Sequence, residues 1–159
     1  LVRKEVASQG QLLFLYVKQK YFIFEKKCWY LMKQFGFGKA EKLKSSKSIS
    51  ELFTRGNSEF EFPLKLIFQK LENSGEPNKV AFVASKKKYP KAHQRNRIKR
   101  ILRETYRLNK SDFSQMSSTL NCSYNLIIVY VGDVNILFDK TEKAIKSLLL
   151  KVSTCNQEK

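Results

Sequence analysis

The feature that most constrains this chain is the run at residues 85–110, SKKKYPKAHQRNRIKRILRETYRLNK. Between Lys86 and Arg107 it holds ten Lys/Arg side chains and a single acid, Glu104. Wound at 3.6 residues per turn, the part from Arg95 onward divides into two faces. Ile98, Ile101, Leu102, Thr105, Tyr106 and Leu108 fall on one arc. Asn96, Arg97, Lys99, Arg100, Arg103, Arg107 and Lys110 fall on the other, with Glu104 among them. One side can anchor the helix in a core while the other presents a fixed field of positive charge. Solvated surface helices mix their signs so that charges four apart can pair, and this one hardly does. A solvated face without a partner is the plain alternative. Amphipathicity, a single sign of charge and an adjoining basic loop together favour a polyanion. Arginine's planar fork also grips phosphate oxygens two at a time.

The whole chain agrees with that local reading. A formal charge of +17 over 159 residues points to RNA, DNA or an anionic membrane surface. A hydrophobic fraction of 42% is enough for a proper core, so one domain, or one domain with an extension, is expected. Cys28, Cys122 and Cys155 are odd in number and contain no C-x-x-C, which indicates neither a zinc site nor a disulfide framework. A reducing cytoplasm is the simplest compartment. His93 is the sole histidine and reads as a locally bonded residue at the entry to the basic helix rather than a ligand.

Residues 1–31 form an extension, aromatic and apolar but broken by Lys18, Lys20, Lys26 and Lys27. The apolar run at 12–17 is far short of the roughly 20 residues of a membrane span. Of an interfacial anchor, a flexible extension and a stretch outside the natural product, the last two together are favoured. Residues 32–47 read as a basic, flexible lead-in with Lys39, Lys42, Lys44 and Lys47; the FGFG at 35–38 is weak as a phosphate loop. Residues 48–153 carry the folded domain, and 154–159 a frayed tail.

Within the domain, Ser48 and Glu51 resemble a capping box, and Ile49, Leu52 and Phe53 share one face of a short helix that stops at Gly56. Strands are expected at 58–62, 64–71, 79–85 and 124–131, the third central because it is almost wholly apolar. A Ser-rich connector with about one turn of helix follows Lys110. A last helix starts at Asp139 as N-cap and carries Ala144, Ile145, Leu148, Leu149 and Val152 as its stripe. The order is helix, three strands, helix, strand, helix: an α+β, two-layer sandwich. A βαβ unit of this kind is ordinarily right-handed.

The string KAHQRNRIKRILRETYRL, and above all Arg95-Asn96-Arg97-Ile98-Lys99-Arg100 followed by Arg103, resembles the signature of the bacterial ribonuclease P protein component. The resemblance spans residues 39–152 and implies a ribosomal-protein-like αβββαβα domain with an unusual left-handed crossover. It implies a subunit that assists a catalytic RNA in endonucleolytic removal of the 5′ leader from precursor tRNA. Mg²⁺ would be held mainly by that RNA, with none bound tightly by the protein alone. Partners would be ribonuclease P RNA and the leader, in a 1:1 complex with a monomeric protein and without a membrane. RNA contact would fall to Lys86, Lys87, Lys91, Arg95, Asn96, Arg97, Lys99, Arg100, Arg103 and Arg107. The leader groove would be lined by Phe53 as a stacking ring, with Ile49 and Lys65. Packing on the sheet is the competing role for Ile49 and Phe53.

No catalytic constellation is evident. Asp133, Asp139 and Glu142 lie close in sequence, but the latter two have capping duties, and one histidine supplies little acid-base chemistry. A ribosomal-type structural RNA-binding protein would share the charge but not the RNRIKR string. A DNA-binding module would need a helix-turn-helix before it. A membrane-surface protein would place its weight in residues 12–31.

Overall fold

The hydrophobic periodicities resolve, in a computed structural model, into seven elements over the described residues, 36–72 and 76–154. They are α1 (Ser46–Arg55), β1 (Asn57–Glu61), β2 (Leu64–Glu72), β3 (Lys79–Ala84), α2 (Ala92–Thr119), β4 (Cys122–Tyr130) and α3 (Phe138–Thr154). The expectations for residues 1–31, for Cys28 and Cys155, and for the tail beyond Thr154 lie outside the described residues. The expected αβββαβα order is observed. The four strands form one sheet in the order β1-β2-β4-β3. β2 runs antiparallel to both neighbours, and β3 lies parallel to β4, with α2 as the crossover between them.

Period-two alternation on the strands gives the sheet two different faces. Leu64, Leu66 and Phe68 of β2 and Tyr124, Leu126 and Ile128 of β4 meet Ile98, Leu102, Tyr106 and Phe113 of α2 and the α3 stripe. That stripe is buried at all five expected positions, Ala144, Ile145, Leu148, Leu149 and Val152. The opposite face carries a smaller cluster in which Leu52 of α1 packs with Ile67, Ile127 and Leu43. Leu52 is the fully buried anchor of α1, and burial of one leucine contributes about 1.5–3 kcal/mol.

Several local expectations are corrected. The cap of α1 is Ser45, whose hydroxyl accepts from the Ser48 amide at 3.3 Å; Ser48 and Glu51 are already inside the helix. Three closely spaced serines, Ser45, Ser46 and Ser48, offer nearly equivalent caps, and the first takes the role. β3 is an edge strand, not a central one. Its apolar run reflects two faces that are each partly covered, and its open edge is shielded by the lead-in. The Leu43 amide donates to the Val80 carbonyl (3.1 Å), and the Val80 amide donates to the Glu41 carbonyl (2.8 Å). Residues 41–43 are therefore docked rather than loose, and Phe37 stands edge-on to Phe82 and Tyr106, 5.8 and 6.1 Å between centroids.

The largest correction concerns α2, which does not end near Lys110 but runs 28 residues to Thr119, about 42 Å at 1.5 Å per residue. The supposed connector is helical because Phe113 and Ser117 continue the buried face. Its hydroxyls bond back onto the helix, Ser118 and Thr119 to the carbonyls of Ser114 and Gln115. Asn121 then turns the chain with φ 47°, a left-handed conformation that asparagine tolerates. Lys110 belongs to the buried side: it is 5% exposed and ion-paired with Glu41 at 2.5 Å. Leu108, expected inside, is exposed. Asp139 lies in the first turn of α3 rather than at its cap.

Candidate nucleic-acid interface

The basic face of α2 is built by its oily face. Ile98, Leu102 and Tyr106 are buried to the last few per cent, and that register turns Asn96, Arg97, Arg100 and Arg103 outward. Lys99 is half-buried. Among the described residues, none of these four cationic side chains, Arg97, Lys99, Arg100 and Arg103, meets a carboxylate: the ion pairs lie elsewhere. The location raises the potential further. No acid stands in the first turn of α2, and its cap, Lys91, makes no side-chain capping bond. The positive end of the helix dipole thus coincides with its densest positive charge. Such an arrangement repels itself and favours an incoming anion.

Two of the expected RNA-binding arginines are occupied within the protein. Arg95 donates from one guanidinium nitrogen to the carbonyls of Tyr89 (2.9 Å) and Pro90 (2.6 Å), pinning the loop that enters the helix. Arg107 grips Glu104 with two parallel hydrogen bonds of 2.9 and 2.6 Å. The Arg107 bond holds the Glu104 carboxyl below its ordinary pKa, and Glu104 in turn raises that of Arg107. The Lys86, Lys87 and Lys91 side chains of the entry loop are exposed. Lys88 instead donates to the Val131 carbonyl, and the Tyr89 hydroxyl to that of Gly132. Gly132 must be glycine here, because a Cβ would lie 2.6 Å from the Tyr130 hydroxyl and 2.7 Å from Pro63. The loop is thereby tied to the end of β4, and its lysines have a rigid base. His93 is exposed in the first turn of α2.

A second surface lies on the opposite side of the sheet. Leu52 anchors α1, Ile49 is half-buried against the same cluster, and Phe53, the next residue on the helix, is 54% exposed. Ile67 packs into that cluster, so Lys65, two residues away on β2, shares its face. Lys65 is exposed and directly opposite Phe60 of β1 and Val129 of β4. Phe60 is 56% exposed and was missed by sequence reasoning. The signal was present: a lone phenylalanine between Glu59 and Glu61 on an otherwise polar strand. Ile49, Phe53, Lys65 and Phe60 thus sit around one face that α1 covers only in part. An exposed ring, a cation and an apolar floor suit a single-stranded nucleic acid, whose bases stack and whose phosphates need a counter-charge.

Among the described residues, no three His, Cys, Asp or Glu side chains come together as metal ligands. Asp133 and Asp139 are exposed, and Glu142 is bonded to Lys146 at 2.9 Å, which lowers its pKa. No described helix is long and apolar enough to cross a membrane.

The family model for ribonuclease P matches residues 37–153. A ribonuclease P protein component from Porphyromonas gingivalis is 27% identical over 124 residues, covering 75% of this chain and 88% of that protein. One from Alkaliphilus oremlandii is 37% identical over 92 residues, 57% of this chain and 74% of that one. In three dimensions, the RNase P protein of Staphylococcus aureus superposes with a TM-score of 0.55 at 19% identity, over 72% of this chain and 96% of that one. That of Thermotoga maritima gives 0.54 at 20%, over 70% and 96%. At those identities the structural likeness speaks for the fold.

Proposed function

This chain belongs to the ribonuclease P protein family, and from that premise we propose a division of labour within its holoenzyme. It is the protein subunit in tRNA processing, and ribonuclease P RNA is its partner. The cutting is done by the RNA, an endonucleolytic hydrolysis that frees the 5′ end of precursor tRNA. In this reading Mg²⁺ is held mainly by the RNA, and no step is routed through this chain's carboxylates. The protein supplies charge and geometry. Arg97, Lys99, Arg100 and Arg103, with Asn96 and the lysines of the entry loop, hold the catalytic RNA. The face around Phe53, Ile49, Lys65 and Phe60 holds the 5′ leader. A helix face of this kind reads phosphates and shape more than base sequence. The protein is a monomer and binds its RNA one to one, in the cytoplasm.

One observation carries this reading: a 28-residue helix, fixed by a buried face, with an unneutralised cationic face at its electropositive end. Neutralising phosphates there lowers the charge repulsion that the RNA must otherwise screen with Mg²⁺. Reconstitution with the cognate ribonuclease P RNA tests it. The protein should confer efficient leader cleavage at low Mg²⁺. Absence of stimulation would instead favour a structural RNA-binding protein of ribosomal type.

A further inference from the structure

Beside the cationic face of α2 lies a groove of about 650 Å³ to which the division of labour above gives no occupant. One wall is α2, with Asn96, Arg97, Arg100 and the half-buried Ile101; the other is Phe138, the first residue of α3. Phe138 is 36% exposed and precedes the buried stripe of its helix, so part of its ring is left open to the groove. Glu104 also borders the groove, but its carboxylate is held by Arg107 and leaves the local field positive. His93 completes the rim.

An aromatic ring and two guanidinium groups lining one concavity, large enough for a small ligand, suit a base and its phosphate. A continuous duplex lying along α2 is convex and does not enter such a recess, whereas RNA exposes unstacked bases at bulges and loops. We propose that this groove takes one unpaired nucleotide of the RNA docked on α2. The base lies against the Phe138 ring, the phosphate is met by Arg97 and Arg100, and the Asn96 amide is within the groove to hydrogen-bond a base edge. The proposal rests on the reading of α2 as the RNA-docking face.

The test is equilibrium binding of the full chain to cognate ribonuclease P RNA across a salt series. Phe138→Leu keeps apolar bulk but removes the π face. It should weaken binding about fivefold or more, the low end of aromatic-base stacking, without changing the salt slope. Phe138→Trp should restore affinity. Base-specific chemical probing of the complex should show one unpaired base protected by the wild-type protein and reactive with Phe138→Leu, a readout that does not depend on affinity. Wild-type affinity for Phe138→Leu, or no such base, overturns the groove while Arg97→Ala with Arg100→Ala still flattens the salt slope. An unchanged slope in that double variant instead refutes the docking face, and the groove with it.

Discussion

Replacing Arg97 and Arg100 together by alanine isolates the electrostatic role of α2. Six Lys/Arg side chains lie between residues 95 and 107, but they are not equivalent. Arg95 is spent on the Tyr89 and Pro90 carbonyls, and Arg107 on Glu104. Arg97, Lys99, Arg100 and Arg103 meet no carboxylate among the described residues and, on the proposed docking, neutralise phosphates. Each phosphate contact contributes about 0.7 (single strand) to 0.9 (duplex) to the slope of log K against log salt. Four contacts give the helix a slope of about 3 to 3.6, and the double variant should lose about 1.4 to 1.8 of it. Between 50 and 200 mM salt, wild-type binding should therefore weaken roughly 7- to 12-fold more than binding of the variant. The control is Glu104→Gln with Arg107→Gln, which removes a neutral pair and should leave the slope unchanged. Fluorescence anisotropy against ribonuclease P RNA at four salt concentrations reads both. An unchanged slope for the double alanine variant, or equal flattening by the neutral control, would refute the reasoning.

Other consequences follow from the same structure. Phe53→Ala should slow cleavage of substrates with long leaders more than binding of leaderless tRNA, while costing under about 1 kcal/mol of stability, since the ring is half exposed; equal effects on both RNAs would make it a packing residue. Lys110→Met removes the partner of Glu41 at a site where only 5% of Lys110 is exposed. Denaturant unfolding should show a loss of about 1–3 kcal/mol, less than for a wholly buried pair because the Glu41 side chain is 26% exposed. Burial, reinforced by Tyr130 and Asp133, pushes the Tyr89 phenol up to about 12. The folded state therefore holds this proton more tightly than the unfolded state, whose phenol titrates near pH 10. Its contribution is complete below about pH 10 and lost as pH rises toward 12, so Tyr89→Phe should reduce the fall in urea midpoint between pH 9 and 11.5.

Legibility in the sequence followed the range of the interactions. The two faces of α2 and the five-residue stripe of α3 repeat every three or four positions, and local periodicity reveals them. The partner of Lys110 lies 69 residues away, and no local pattern could turn that lysine inward. The second half of α2 was hidden by serines, whose hydroxyls usually favour loops but here bond back to their own helix. β3 reads as central because burial and strand order are different things: its faces are partly covered although its edge is not paired with another strand. At the candidate interface, charge picked out the helix but not which of its arginines are available. The commitment of Arg95 to two carbonyls and of Arg107 to Glu104 needs coordinates. Phe60 and Phe138 were overlooked because each stands alone, and an exposed ring acquires meaning only from the cations that the fold brings beside it.

The central claim is that two opposite surfaces of one small domain hold two different RNAs. A photo-crosslinking amino acid placed at Arg103 or at Phe53, in the holoenzyme loaded with precursor tRNA, tests it most directly. The account predicts that the Arg103 probe labels ribonuclease P RNA and the Phe53 probe labels the 5′ leader. Leader labelled from Arg103, or the same RNA labelled from both positions, would contradict it.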